Sequence, residues 1–381
     1  MADDRWWIRD TGFMMKERTD FKSALNVLGG IEQPGQINPE MVSRIRARKP
    51  GSHDVDYYIK GITEGNITIL SQAITLIESS LPKHKEKADA IIAACLTSGK
   101  ADKRTSIRVG ITGVPGVGKS TFIEALGTYL TGKGHKVAVL AIDPSSSRSR
   151  GSILGDKTRM EELSVDPYAF IRPSPSAGTL GGVARKTRES IILCEAAGFD
   201  VIFVETVGVG QSETAVHSMV DFFLLLMLSG AGDELQGIKR GIIEMADAII
   251  INKADGDNLK KAQIARVEYA NALHLLPKPE NGWVPGTDIC SSKTREGIAR
   301  IWEMILRHHS LLEGNGFLSK MRFDQNLQVF VETIEEGLRE HFDASREISK
   351  SVSRLREEII KGTVSPYAAA KELLSKYFQR H

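Results

Sequence analysis

The stretch Gly113–Ser120, GVPGVGKS, decides the fold class of this chain. It matches the pattern Gly-x-x-x-x-Gly-Lys-Ser/Thr, with the apolar segment IRVGIT before it and the helical pattern TFIEALGTYL after it. In that context successive backbone N–H groups can wrap phosphate groups, and the start of the helix faces their negative charge. The sequence therefore predicts a phosphate-binding loop, the P-loop, between a strand and a helix.

Two side chains of the P-loop carry its expected chemistry. Lys119 is expected to contact the β- and γ-phosphates of a nucleotide, and the Ser120 hydroxyl to bind Mg²⁺. The alternative is a glycine-rich turn that binds nothing, which the flanking strand and helix disfavour. The candidate nucleotide-binding residues of this stretch are Gly113, Val114, Pro115, Gly116, Val117, Gly118, Lys119, Ser120 and Thr121.

From Ile107 onward, short apolar runs alternate with helical patterns. The predicted strands are Ile107–Thr112, Lys136–Ile142, Ala169–Arg172, Val201–Val204, Phe222–Leu228 and Ala248–Ile251. The predicted helices are Lys119–Leu130, Leu180–Ala197, Lys239–Met245 and Leu259–Leu275. This alternation indicates an α/β fold with a mostly parallel sheet covered on both faces, and such sheets bind ligands at the carboxyl ends of their strands.

Helical patterns flank this region on both sides. Apolar residues recur near helical spacing before it, and amphipathic segments follow it. The predicted flanking helices cover Ile59–Ile77, Pro82–Ala94, Phe323–Phe342, Ile348–Ile360 and Pro366–Phe378. We expect an N-terminal helical domain (1–104), a P-loop domain (105–310) and a C-terminal helical segment (311–381). That last segment packs on its own domain or on a second copy.

Composition is that of a soluble globular protein. The 381 residues are 26% charged with a net charge of +2, so neither nucleic acid nor a membrane surface is an expected partner. The cysteines Cys95, Cys194 and Cys290 are widely spaced, which fits a reducing compartment. The start, MADDRWWIRD, lacks the apolar core of a signal peptide, and Phe222–Leu228 is too short to cross a bilayer. We expect a cytoplasmic location.

A second motif identifies the base. Asn252-Lys253-Ala254-Asp255 follows the last predicted strand and matches the guanine signature Asn-Lys-x-Asp of GTPases. Asp255 can accept from guanine N1–H and the exocyclic amine together, a pair that adenine does not offer. Lys253 would stack along the base, and Asn252 would brace the loop. Ser291, Ser292 and Lys293 resemble the loop that touches guanine O6. Together with the P-loop, this order indicates GTP rather than ATP.

Acidic residues lie between the two motifs. Asp143 and Glu205 end predicted strands, and Asp156 lies in a loop rich in Ser, Gly and Arg. Mg²⁺ prefers oxygen ligands, so the sequence suggests Ser120, Asp143, Asp156 and Glu205 as metal ligands, with Asp156 and Glu205 also catalytic candidates beside Lys119. Gly208 suits the turn whose N–H meets the γ-phosphate. Alternatively, each acid caps the helix or turn beside it.

One expected residue is missing from the motif after Glu205. Small GTPases place a glutamine directly after the glycine of this turn, where it orients the attacking water. Val209 stands there instead, and the nearest glutamine is Gln211. We therefore expect slow hydrolysis without a partner. The arginines near enough in sequence to supply charge are Arg148, Arg150, Arg159, Arg185 and Arg188.

The long segments around these motifs resemble the methylmalonyl-CoA mutase-associated GTPases, the MeaB and ArgK group. The matching pieces are GVPGVGKST, AIDPSSSRSRGSILGDKTRM, RPSPSAGTLGGVARKTRE, ETVGVGQSE, SGAGDELQGIKRGIIEMAD and NKADGDN, within residues 105–300. The resemblance implies a homodimeric P-loop GTPase with an N-terminal helical domain and a C-terminal dimerisation arm. It also implies three nucleotide-sensitive loops, Asp143–Arg159, Glu205–Ala215 and Ser229–Lys239.

The same resemblance implies a task performed on a partner. The family gates loading of adenosylcobalamin into an acyl-CoA mutase, methylmalonyl-CoA mutase above all, and protects that enzyme from inactivation. The implied partners are the mutase and the cobalamin adenosyltransferase, and the implied ligands are GTP or GDP with Mg²⁺. The chain contains no Asp-x-His-x-x-Gly cobalamin-ligand motif, so we expect it to hold no cobalamin of its own.

Two other functions remain open on the sequence. A metallochaperone GTPase for nickel-enzyme maturation would carry a His-rich run or a Cys/His pair near its loops. Here His308-His309 is the tight pair, on a predicted amphipathic helix, which favours a core or surface role. A nucleotide-dependent scaffold that binds GTP and GDP with little turnover is the other alternative.

Overall fold

The computed structural model describes residues 53–79, 81–97, 106–143, 160–175, 180–206, 212–230, 240–277 and 279–378. These residues belong to one compact unit, Gly51–His381. The division into 1–104, 105–310 and 311–381 stays a prediction.

A parallel sheet forms the centre of the described part of the chain. Its strands are β1 (Ile107–Gly113), β2 (Val137–Asp143), β3 (Ala169–Pro175), β4 (Val201–Thr206), β5 (Phe222–Met227), β6 (Ala248–Ile251) and β7 (Gly286–Ile289). The order across the sheet is β3-β2-β4-β1-β5-β6-β7, and every neighbouring pair is parallel. The predicted α/β fold is confirmed.

Helices connect the strands and cover the sheet. The helices after β1 are α4 (Lys119–Thr131), α5 (Glu161–Ser164), α6 (Leu180–Ala196), α7 (Ser212–His217), α8 (Arg240–Met245), α9 (Leu259–His274) and α10 (Ile298–Gly314). Every residue of β4, β5 and β6 is buried. Burial on both faces explains why these strands read as continuous apolar runs rather than alternating ones.

Among the described residues, three helices precede β1 and three more follow α10. They are α1 (Val55–Thr63), α2 (Ile67–Glu78), α3 (Pro82–Thr97), α11 (Phe317–Ala344), α12 (Arg346–Ile360) and α13 (Pro366–Phe378). Helices α2 and α3 pack against α6. The predicted helical segment Ile59–Ile77 is broken at Gly65, where φ is +76°, and the Asn66 side chain caps α2 by accepting from Thr68 N and Ile69 N.

Ion pairs and a hydrogen bond fix the first part of α11 to the sheet and to α6. Arg322 donates to Asp221 Oδ1 at 2.9 Å and to Oδ2 at 2.7 Å, and the Asp221 side chain is only 2% exposed. Gln325 donates to Val220 O at 2.9 Å, and Arg188 of α6 pairs with Glu332. One face of α11 is thereby held against the sheet and α6, at the end opposite to the P-loop.

Five of the six predicted strands agree with the structure to within two residues at each end, whereas β3 is longer than predicted and β7 was not among the predicted strands. The predicted strand ends at Arg172, before Pro173 and Pro175, which have no N–H to donate to a ladder. The strand continues through both prolines to Pro175. It is the edge strand of the sheet, and a strand without a neighbour on one side tolerates proline there.

Candidate functional site

The P-loop runs from the end of β1 to the start of α4. Its glycines take the left-handed backbone that the turn requires, with φ of +77° at Gly116 and +94° at Gly118. A Cβ at Gly113 would lie 2.4 Å from Leu226 O of the neighbouring strand, so only glycine fits there. Gly118 caps α4 without a side-chain hydrogen bond. The first N–H groups of α4 are therefore left for an anion.

Lys119 lies inside the P-loop and is 9% exposed. Its amine donates to Gly113 O across the loop at 2.8 Å. Burial lowers the pKa of the Lys119 amine, while the carboxylates of Glu205 and Glu213 act in the opposite direction. A buried cation held this way by one carbonyl can exchange that contact for phosphate oxygens, which bind it more strongly.

The Ser120 hydroxyl and the Glu205 carboxylate come together beside Lys119. Ser120 Oγ donates to Glu205 Oε1 at 3.2 Å, and Glu205 is 5% exposed. Glu205 pairs with Ile111 in the parallel register, which brings the carboxyl ends of β4 and β1 side by side. Two oxygen groups in this position fit the ligand preference of Mg²⁺. A buried, ionised carboxylate such as that of Glu205 is also costly unless a cation or hydrogen-bond donor pairs with it.

Asn252 braces the second motif, Asn252–Asp255, which we call the base loop. Asn252 is 1% exposed, and its Nδ2 donates to Val117 O of the P-loop at 2.9 Å. Its Oδ1 accepts from Ser292 N at 3.1 Å and from Ser292 Oγ at 2.8 Å. One side chain therefore connects the base loop, the P-loop and the segment after β7.

The two other base-loop side chains border the P-loop and the segment after β7. Lys253 Nζ donates to Gly116 O at 2.7 Å, and Lys253 has a left-handed backbone with φ of +57°. Asp255 Oδ2 accepts from Ser291 Oγ at 3.0 Å. Ser291 is buried, whereas Lys293 is exposed. The predicted P-loop and base-loop residues thus form one contiguous surface at the carboxyl edge of the sheet.

Several sequence candidates are placed only in part or lie elsewhere. Asp143 is the last residue of β2, so its backbone is at the same edge as Glu205. Asp156, Gly208 and Val209 lie outside the described residues, as do Gln211, Arg148, Arg150 and Arg159. The metal-ligand and catalytic roles of these acids stay predictions.

Arg185 and Arg188 are engaged in ion pairs on α6. Arg185 pairs with Glu189 at 2.8 Å and lies 3.7 Å from Asp89 and from Glu336. Arg188 pairs with Glu332 and donates to Ser218 Oγ at 2.6 Å. In this arrangement both arginines join α6 to neighbouring helices.

Glu213 is a buried residue of the site that the sequence did not single out. It lies in the first turn of α7, is 1% exposed, and raises the pKa of the Lys119 amine against the effect of burial. Nothing in the sequence distinguishes it from a solvated helix-start glutamate, because its proximity to Lys119 depends on how α7 returns to β4 and β1.

The histidine pair lies in the core and on its border. His308 is 1% exposed, and its ring makes edge contacts with Phe222 and Trp283 at centroid distances of 5.0 Å. Burial lowers the pKa of the His308 ring to about 4. Across the described segments, no group of three or more His, Cys, Asp or Glu side chains is arranged to hold a metal ion.

Within the described helices, none is long and apolar enough to cross a membrane.

Comparisons with known proteins agree with these motifs. The family model for the methylmalonyl Co-A mutase-associated GTPase MeaB matches residues 70–347. A GTPase ArgK of Escherichia coli is 43% identical over 84% of this chain and 96% of that relative. A mitochondrial methylmalonic aciduria type A homolog of Mus musculus is 44% identical over 86% of this chain and 80% of that relative. A crystal structure titled LAO/AO transport system kinase is 37% identical, with a TM-score of 0.66 over 85% of this chain and 97% of the other.

Proposed function

Because this chain belongs to the methylmalonyl-CoA mutase-associated GTPase family and is a GTPase, we propose that it gates adenosylcobalamin loading into an acyl-CoA mutase and protects that enzyme. Methylmalonyl-CoA mutase is the proposed client, and the cobalamin adenosyltransferase a further partner. The proposed location is the cytoplasm. The observation that carries the nucleotide part is the hydrogen bonding of the base loop to the P-loop, through Asn252 to Val117 O and Lys253 to Gly116 O.

The proposed chemistry is positioning and electrostatic stabilisation. The N–H groups of the P-loop and of the first turn of α4 hold the phosphates, and the Lys119 amine leaves Gly113 O for the β- and γ-phosphate oxygens. Asp255 selects guanine, with Ser291 holding its carboxylate in place. Ser120 and Glu205 would hold Mg²⁺ together with Asp143 and Asp156, and that ion neutralises charge that develops on the phosphates.

Without a partner, this chain is expected to hydrolyse GTP slowly. Val209 stands where other GTPases place a water-orienting glutamine, and Arg185 and Arg188 are engaged in ion pairs on α6. The proposed catalytic acids Asp156 and Glu205 belong to two of the loops that the family resemblance implies to be nucleotide-sensitive, Asp143–Arg159 and Glu205–Ala215. A client that orders these loops would complete the site.

Basal GTP turnover is therefore expected to be slow, and a cognate apo-mutase to accelerate it about tenfold or more, because positioning supplies most of phosphoryl-transfer catalysis. Steady-state phosphate release is measured against rising concentrations of the apo-mutase, with an unrelated enzyme as control. Asp233→Ala with Glu234→Ala, both outside the described residues, should reduce the stimulated rate and leave the basal rate. A flat wild-type rate despite demonstrated binding contradicts the activation. Equal stimulation of both proteins removes Ser229–Lys239 from the signalling role.

The proposed homodimer is supported by an apolar stripe on α11. Phe323, Leu327, Phe330, Ile334 and Leu338 follow one another at intervals of four, three, four and four residues, and each is 46% to 62% exposed. This stripe lies opposite the face that Arg322 and Gln325 hold against the sheet. Contiguous exposed apolar stripes are typical of interaction surfaces. A second copy of the chain can cover the stripe with its own stripe, since a two-fold interface pairs the same patch with itself.

Phe330→Glu is expected to convert the dimer to monomer at micromolar concentration. Each Phe330 side chain that is no longer buried in the interface weakens dimerisation by about 1.5–3 kcal/mol. Because the interface is two-fold, this loss occurs twice. Sedimentation velocity measures the mass. Gln328→Glu adds the same charge at an exposed polar position of the same helix that is not three or four residues from any member of the stripe, and should remain dimeric. A dimeric Phe330→Glu variant would place the interface elsewhere.

The two alternatives are separated by direct measurements. A scaffold predicts no client-stimulated turnover, which the phosphate-release assay tests. A nickel metallochaperone predicts tight Ni²⁺ binding, which calorimetry tests, and His308 is unsuited to it because its ring is enclosed by Phe222 and Trp283.

A further inference from the structure

Asn258 is the residue directly before α9, and its side chain contacts two different loops. Asn258 ends the 3₁₀ turn Gly256–Asn258 and has a helical backbone, with φ of −83° and ψ of −15°, so it lacks the extended conformation from which an N-cap side chain accepts a bond from the first turn of a helix. Asn258 makes no such bond. Its side chain turns instead toward the base loop and toward the segment that follows β5. The side chain therefore connects loops instead of capping a helix.

The Asn258 amide joins two loops. Its Nδ2 donates to Lys253 O at 2.6 Å, and its Oδ1 accepts from Ser229 Oγ, also at 2.6 Å. A carbonyl oxygen can only accept, so the amide end that faces Lys253 must be the NH₂ group. The oxygen end then faces the Ser229 hydroxyl, which donates. Both ends of the amide are therefore fixed by chemistry.

Lys253 needs such support because of its backbone. Its φ of +57° lies in the left-handed region, which a lysine rarely adopts. Two contacts hold it there: Asn258 at its carbonyl, and Gly116 O, which accepts from its amine at 2.7 Å. Between these contacts the stem of Lys253 runs along the P-loop, which is where a guanine ring would stack. The N–H groups of the neighbouring Asn252 and Ala254 donate to Met227 O and Cys290 O, so removing the first contact loosens Lys253 itself within a loop that stays anchored on both sides.

We propose that Asn258 is a positioning residue for guanine-nucleotide binding that keeps Lys253 in its left-handed conformation, and that Ser229 acts through Asn258 by orienting its amide. The inference rests on the proposed guanine site at Asp255. The base loop touches the nucleotide away from the γ-phosphate, so GDP and GTP lose affinity by the same factor. The loss falls on KM rather than on kcat.

Asn258→Asp and Asn258→Ala test the first half. The aspartate keeps the shape and an acceptor for Ser229 but has no donor for Lys253 O, while the alanine removes both. Calorimetry should find GDP and a non-hydrolysable GTP analogue bound about three- to tenfold more weakly by each variant, the equivalent of one hydrogen bond. Inorganic tripolyphosphate, which has no base, should compete at the P-loop with unchanged affinity.

Ser229→Ala tests the second half. Alone it should weaken GDP about two- to threefold, and combined with Asn258→Ala it should add nothing, because Ser229 has no route to Lys253 except through the amide. Asn271→Ala on the exposed face of the same helix is the matched control and should bind GDP as the wild type does. Thermal unfolding of every variant checks that the fold is kept.

Two results would overturn the role of Asn258. One is a folded Asn258→Asp variant that binds GDP as tightly as the wild type does. The other is an equal loss for tripolyphosphate and GDP, which would mean general damage to the P-loop. Failure of the guanine assignment is recognised separately, because it leaves Asp255→Asn with the guanine preference of the wild type. If the losses of GDP affinity caused by Ser229→Ala and by Asn258→Ala are fully additive in the double variant, Ser229 does not act through the Asn258 amide.

Discussion

Asp255→Asn is expected to change the preferred substrate from GTP to xanthosine triphosphate. In the proposed guanine site, the Asp255 carboxylate accepts from guanine N1–H and the exocyclic amine, both of which an amide nitrogen would repel. Xanthine carries a carbonyl where guanine has that amine, and an amide can donate to it. Hydrogen bonds to a charged group contribute about 1.5–3 kcal/mol each. The loss of two of them changes the ratio of the affinity for GTP to that for xanthosine triphosphate about 100-fold or more.

The surroundings of Asp255 should tolerate the substitution. Its Oδ2 accepts from the Ser291 hydroxyl at 3.0 Å, and the oxygen of the substituted amide can accept the same bond. The amide nitrogen is then left facing the base. Dissociation constants for GTP and xanthosine triphosphate are measured for the wild type, Asp255→Asn and Asp257→Asn. Asp257 is exposed two residues further along and should leave selectivity unchanged. Unaltered GTP affinity in Asp255→Asn would remove Asp255 from the site.

Much of the sheet and of the site could be predicted because each depends on short segments. The strand Ala248–Ile251 was predicted with the bounds observed, since its four residues are apolar, buried and followed by a polar loop. The P-loop is equally local, as its glycines are required by backbone angles within the loop itself. Once the strands are parallel, their carboxyl ends share one edge, which brings Glu205 and Ser120 together.

What the sequence could not predict depends on contacts between distant loops. Glu213 and Asn258 look like ordinary polar residues beside helix starts. Their surroundings are set by contacts between distant segments: the Glu213 carboxylate acts on the Lys119 amine, and Asn258, which follows β6, meets Ser229, which follows β5. The continuation of β3 through Pro173 likewise depends on β3 being at the sheet edge, which follows from strand order and not from local composition.

Lys119→Ala is expected to abolish most GTP hydrolysis while keeping the fold. The Lys119 amine is the one side-chain cation within the P-loop sequence, and it is nearly buried between the loop carbonyls and the carboxylates of Glu205 and Glu213. Charge-assisted contacts to two phosphates, at about 1.5–3 kcal/mol each, correspond to a loss of roughly 10²–10⁴ in kcat/KM. The two carboxylates would then face the nucleotide without a compensating cation, which also weakens binding.

The folded P-loop should survive this change, because glycine backbone angles and the Asn252 and Lys253 contacts to Val117 O and Gly116 O do not involve the Lys119 amine. Thermal unfolding and steady-state phosphate release are therefore measured on the same preparations. Lys133→Ala removes an exposed lysine just beyond the end of α4 and should retain full activity and stability. Lys119→Arg keeps the charge but demands more room than the enclosed site offers, so its turnover should stay low. Near-normal turnover in a folded Lys119→Ala variant would contradict the P-loop assignment, since no other cation in that sequence could replace the lost contact.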